Sequence, residues 1–129
     1  METGSRRKKI LVVDDERGLV RLIRLNLEHD GFEVIEANNG AQAMDKLRAA
    51  LPDLILLDVM MPDMDGTEAA EYLLDDEGTR NIPLIFITAA IKKDEAEDRL
   101  GRIHGHPILA KPVTPVEVMT EIEKILTLS

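Results

Sequence analysis

The stretch Ile10-Leu-Val-Val-Asp14-Asp15-Glu16 decides the reading of this chain. An unbroken aliphatic run stops abruptly at three acids. A strand that is apolar at every position has both faces covered, the habit of strands inside parallel sheets. With Lys9 the run makes a strand over Lys9–Val13, and the same form recurs at Leu54–Leu57 and Leu84–Ile87. Shorter runs at Glu33–Glu36 and Ile108–Ala110 bring the number of strands to five.

Between the strands, apolar residues recur three and four apart, the spacing of a helix that buries one face. Leu19, Ile23 and Leu27 form one such stripe; Ala43, Met44 and Leu47 form the next. Ala69 with Leu73, then Ala96, Leu100 and Ile103, then Val118, Ile122 and Ile125 make five helices in all. Gly31, Gly40, Pro52 and Pro83 punctuate the pattern. Five strand–helix units imply parallel pairing through right-handed crossovers. The fold class is therefore α/β, with one open, doubly wound five-stranded sheet, because a closed barrel needs eight units.

Composition narrows the function. The 129 residues carry 16 basic and 25 acidic side chains, a net charge of −9. That balance opposes direct nucleic-acid binding, which depends on Lys and Arg replacing counterions. The absence of cysteine removes disulfides, thiol catalysis and thiolate metal sites. No apolar run approaches the ~18 residues of a membrane span. The four apolar residues after Arg6-Arg7-Lys8-Lys9 are too few for a secretory signal, whose core needs roughly 7–15. Residues 1–8 read as a flexible tail and residues 9–129 as one cytoplasmic domain.

In an open parallel sheet, ligands bind beyond the carboxyl ends of the strands. Those ends carry Asp14, Asp15 and Glu16, then Asp58, then Thr88 and Ala89, then Lys111 before Pro112. Two carboxylates about 5 Å apart repel by roughly 3 kcal/mol at an effective dielectric near 20. A hard divalent cation relieves that repulsion, and an all-oxygen set suits Mg²⁺ or Mn²⁺. The site then fits a phosphoryl group, with Asp58 as nucleophile and an acyl phosphate as product. A simpler alternative stays open: Asp15 or Glu16 favours the start of a helix and Asp58 sits in a turn.

These motifs, with Leu56-Leu-Asp58-Val-Met-Met-Pro62-Asp-Met-Asp-Gly66, Ile87-Thr88-Ala89 and Leu109-Ala-Lys111-Pro112, resemble the receiver domain of two-component response regulators. The likeness runs from about Lys9 to Leu128. It implies a flavodoxin-like sheet in the order 2-1-3-4-5. It implies that Asp58 accepts a phosphoryl group from the phosphohistidine of a sensor histidine kinase or a histidine phosphotransfer protein. The resemblance also implies Mg²⁺ held by Asp15 directly, by Asp14 through water, by Asp58, and by the backbone carbonyl of Met60. Thr88 matches the switch hydroxyl, Lys111 the phosphoryl-pairing ammonium, and Ala89 the small residue that leaves room for phosphate. The bond before Pro112 is expected to be cis. Such a domain signals rather than turning over substrate, assisting its own phosphotransfer and slow dephosphorylation. Leu22 and Leu25, turned away from the buried stripe of the first helix, match the surface where kinases dock. A downstream protein would read the last helix–strand–helix face, around Asp94–Ile103 and Thr114–Leu126, with no membrane contact.

The sequence departs from the family at Ile108, where an aromatic residue is usual, so a Thr-to-aromatic rotamer switch cannot run in its usual form. Met60 and Ala90 stand where polar residues can guide a hydrolytic water, which predicts a long-lived phosphorylated state. Two rival functions are a phosphorylation-independent binding module and a Mg²⁺-dependent phosphatase with an aspartyl-phosphate intermediate. The phosphatase often carries a second acid where this chain has Met60. Asp63-Met64-Asp65-Gly66 is no calcium loop, because its first and twelfth positions would be Met61 and Tyr72. His104 and His106 read as solvated, and no nucleotide-binding glycine loop is present.

Overall fold

Strands β1 (Lys9–Val13), β2 (Glu33–Ala37), β3 (Leu54–Asp58), β4 (Leu84–Thr88) and β5 (His106–Ala110) form one parallel sheet in the order 2-1-3-4-5. The computed structural model describes residues 7–58, 60–61, 64–65, 75–89, 102–103 and 106–128. Three helices lie in those residues: α1 (Arg17–His29), α2 (Gly40–Ala50) and α3 (Pro115–Leu128). The expected helices through Ala69 and Leu73 and through Ala96 and Leu100 fall outside them. So do Ala90, His104, most of the Asp94–Ile103 face and most of the N-terminal tail.

Alternation within each strand sorts the core into two layers. Leu11, Val13, Ile55, Leu57, Leu84 and Phe86 face α2, packing with Ala43 and Leu47. Ile10, Val12, Leu54, Leu56, Ile85 and Ile87 face α1 and α3, packing with Val20, Ile23, Leu27, Val118 and Ile122. Full burial of each such side chain stabilises by about 1.5–3 kcal/mol, and a one-residue slip would exchange the layers.

The helix boundaries follow local chemistry. α1 ends at His29 with Asp30 as its cap; Gly31 follows with a φ of 96° that suits glycine, and the Phe32 amide reaches back to the Leu27 carbonyl at 3.0 Å. Asn39 caps α2 by accepting from the Gln42 amide at 2.9 Å. A capping box starts α3: the Glu117 amide donates to Thr114 Oγ1 at 3.2 Å, and the Thr114 amide to Glu117 Oε1 at 3.1 Å.

Three expectations need correction, the first being His106, which is half-buried with its ring edge-on to Phe86 at 6.1 Å rather than solvated. Ile103 does not end a helix; Arg102–Ile103 is extended and pairs antiparallel with His106–Pro107. For the same reason β5 begins at His106 rather than Ile108. No helix among the described residues is long and apolar enough to cross a membrane.

Candidate functional site

The sheet brings four strand ends to one edge. Asp14 follows β1 directly, and its amide donates to the Ala37 carbonyl at 3.1 Å. Asp58 closes β3, and Thr88 closes β4. Lys111 follows β5, and its amide donates to the Thr88 carbonyl at 2.8 Å. Asp14, Asp58 and Thr88 are buried, whereas Asp15 and Ala89 are exposed. The Lys111–Pro112 peptide is cis.

Carboxylate oxygens of Asp14, Asp15 and Asp58 lie within 4.8 Å of one another. Lys111 Nζ stands among acids, 2.6 Å from Glu16 Oε1, 3.0 Å from Asp14 Oδ2 and 3.4 Å from Asp58 Oδ2. The lysine is only 10% exposed, far from the usual surface lysine. Burial opposes its charge, but the contacts with Glu16 and Asp14 and the charges of Asp14 and Asp58 outweigh burial. Its pKa is held above the ordinary lysine value.

Asp14 carries the opposite tension. Burial pushes its carboxyl above the ordinary carboxylate value, against the Glu16 amide and Lys111, which pull it down; the Asp58 charge adds to the rise. Oδ1 accepts from the Glu16 amide at 2.9 Å. Oδ2 is buried and accepts no hydrogen bond, its ion-pair contact with Lys111 lying outside hydrogen-bond geometry. An orphaned buried carboxylate oxygen beside two further carboxylates is a donor set that fits a hard divalent cation.

Glu16 is the N-cap residue of α1, yet its side chain makes no capping hydrogen bond. Glu16 thus stands at the start of the helix, as the simpler reading expects, but its carboxylate meets Lys111 rather than a helix amide. The sequence reading assigned Glu16 no partner, and the adjacency of three acids was its only signal. Leu22 and Leu25 are 45% and 59% exposed, so neither packs against the α1 core stripe. Beside Leu25, a groove of about 510 Å³ is lined by Arg17, Arg21, Arg24, Glu36 and Asn38.

Residues 10–123 match the response regulator receiver domain family. This chain belongs to that family. It is 41% identical to the alkaline phosphatase synthesis transcriptional regulatory protein PhoP of Bacillus subtilis over 121 residues, 92% of this chain but 48% of PhoP. It is 35% identical to the polar-differentiation response regulator DivK of Brucella anthropi, covering 92% of this chain and 96% of DivK. The structure of the chemotaxis response regulator CheY4 of Vibrio cholerae superposes with a TM-score of 0.80 at 26% identity, over 93% of this chain and 99% of that one. The chain thus spans about half the length of PhoP and nearly all of DivK. Receiver domains are signalling domains that bind Mg²⁺ in an acidic pocket, and this receiver has its acidic cluster at Asp14, Asp15 and Asp58.

Proposed function

We propose that this receiver, residues 9–129 behind a tail of residues 1–8, is a cytoplasmic phosphoacceptor switch. Asp58 takes a phosphoryl group from a phosphohistidine of a sensor histidine kinase or histidine phosphotransfer protein. One Asp58 oxygen forms the new O–P bond while the P–N bond breaks and the imidazole nitrogen leaves and is protonated. The observation that carries this reading is Lys111 Nζ held 3.4 Å from Asp58 Oδ2 at the converging strand ends. There the ammonium can follow the charge onto the phosphoryl oxygens. Mg²⁺, held by Asp14, Asp15, Asp58 and the Met60 carbonyl, would supply the positive charge that lets an anionic donor approach three carboxylates; Mn²⁺ suits the same oxygens. Thr88 donates its hydroxyl to the phosphoryl group, and exposed Ala89 leaves room for it.

Leu22 and Leu25 offer the apolar contact for the phosphodonor protein. Arg17 and Arg21 beside the groove add positive charge to a chain of net −9. A downstream protein reads the face that includes Thr114–Leu126. Its binding shifts as phosphate favours one of two sampled arrangements. Met60 two residues beyond Asp58 leaves the phosphatase reading without a second acid. With Ala90 it supports a phosphorylated state that lasts well beyond seconds.

Mass spectrometry after acetyl phosphate with Mg²⁺ tests the reading. Wild type should gain about 80 Da, the mass of one phosphoryl group, and Asp58→Ala should gain nothing. Adduct on both proteins, or on neither, would overturn it.

A further inference from the structure

Glu16 is the one acid in contact with Lys111 to which phosphotransfer assigns no task. Its carboxylate makes the shortest of the three lysine contacts, 2.6 Å against 3.0 Å to Asp14 and 3.4 Å to Asp58. Its own amide is tied to Asp14 Oδ1, so the backbone from which this side chain reaches is held in place. The carboxylate is 59% exposed, while Asp14 and Asp58 are almost wholly buried.

An ammonium has three donors and no more. Among the described residues two of them are engaged, by Glu16 and by Asp58, while Asp14 is held by charge alone at 3.0 Å. A phosphoryl group on Asp58 brings about two negative charges and three strong acceptor oxygens against one donor left over, so Lys111 meets them fully only at a partner's expense. Asp14 and Asp58 cannot be released cheaply, because a buried carboxylate stripped of its counter-ion loses far more than an exposed one. Glu16 can turn into water. Resting on the phosphoacceptor reading, we propose that Glu16 is a latch on Lys111, a competing carboxylate that the phosphoryl group displaces. It thereby lowers the occupancy of the phosphorylated state at a given donor supply. Glu16 is a positioning residue: it acts through Lys111 and touches neither the phosphorus nor its donor.

The size of the effect follows from exposure. A partly solvated ion pair of this kind contributes on the order of 0.2–1 kcal/mol, which is about a 1.4- to 5-fold change in an equilibrium. The experiment uses beryllofluoride, a tetrahedral anion that sits on a carboxylate oxygen in place of the phosphoryl group. Its affinity is titrated in saturating Mg²⁺ for wild type, Glu16→Gln and Glu16→Asp, with Mg²⁺ affinity measured separately. Glu16→Gln keeps the shape and removes the charge; it should tighten beryllofluoride by up to about fivefold and leave Mg²⁺ affinity within twofold. Glu16→Asp keeps the charge one methylene short of the ammonium and should fall on the Gln side of wild type. Unchanged or weaker beryllofluoride binding in Glu16→Gln would overturn the latch. Weaker Mg²⁺ binding would overturn it too, by making Glu16 a metal ligand. Failure of wild type to bind beryllofluoride at all, or binding that survives Asp58→Ala, would instead sink the phosphoacceptor reading.

Discussion

Replacing Lys111 with methionine isolates what one ammonium does for this site. Methionine keeps the length of the stem and deletes the charge. At 3.0 and 3.4 Å, the attractions to Asp14 and Asp58 are each about 5 kcal/mol at an effective dielectric near 20. The cost of burying the ammonium offsets much of that sum. Removing one member of a buried ion pair nevertheless leaves an uncompensated charge and typically costs roughly 3–5 kcal/mol. The Glu16 contact adds little, because that carboxylate is mostly in water. At pH 7 the lysine contribution is present in full. A pKa raised in the folded state gives stability below the ordinary 10.5 and loses it only as pH climbs through the higher value. Urea unfolding at pH 7 without Mg²⁺ should therefore show Lys111→Met less stable by about 3 kcal/mol or more. Mg²⁺ should restore more in the variant than in wild type, since the metal then meets the carboxylates with no competing cation. Each tenfold gain in affinity adds about 1.4 kcal/mol at saturation. A variant as stable as wild type without metal, or equal Mg²⁺ increments in both proteins, would refute the argument.

Further expectations concern single residues. Asp14→Asn removes a buried charge whose carboxyl is raised, so its metal-free stability at pH 7 should exceed wild type. The wild-type loss as pH rises above 3.8 through the folded value should flatten, and Mg²⁺ affinity, read by calorimetry, should fall about tenfold or more. Leu51→Gly should stabilise by roughly 0.5–1 kcal/mol in thermal melts, because exposed Leu51 holds φ at 46° where a β-carbon is strained. Leu51→Val should do the reverse. Leu25→Asp should leave acetyl phosphate labelling intact and cut transfer from a cognate kinase by about fivefold or more, as expected for an interface apolar contact. Ile108→Ala should cost about 2–5 kcal/mol in urea, the price of a core cavity; a loss under 1 kcal/mol would show that Ile108 is not packed as a core residue.

The sheet was legible because three of its strands are written twice over, once as apolar runs and once as the polar residue that stops each run. Asp14, Asp58, Thr88 and Lys111 could be placed on one edge from that rule alone. Contacts across the fold were not legible. Glu16 and Lys111 are 95 residues apart, and no local pattern announces that an exposed acid will meet a buried lysine. The turn at Leu51 was hidden for a different reason. Pro52 signals that a helix must stop, but nothing in a leucine signals a left-handed residue before it. Ile103 misled because its spacing from Leu100 fits a helix, while its pairing with His106 outweighs that local preference.

The order of the lysine contacts bears on reactivity as well as on stability. A carboxylate clamped at short range by an ammonium has its charge partly spent and is a poorer nucleophile. Here the tightest contact goes to Glu16 and the loosest to Asp58, so Lys111 stays near the reacting oxygen without closing on it. On the phosphoacceptor reading, phosphorylation would reverse the preference, because the new oxygens carry more charge than Glu16. Were Lys111 to follow them, its amide hydrogen bond to the Thr88 carbonyl would carry the pull to the end of β4. Buried Ile108, packed with Phe86 in the layer that faces α2, offers no aromatic ring to relay it. The backbone bond between Lys111 and Thr88 is a direct link from this lysine to the end of β4, continuing the ladder that pairs Thr88 with Ala110.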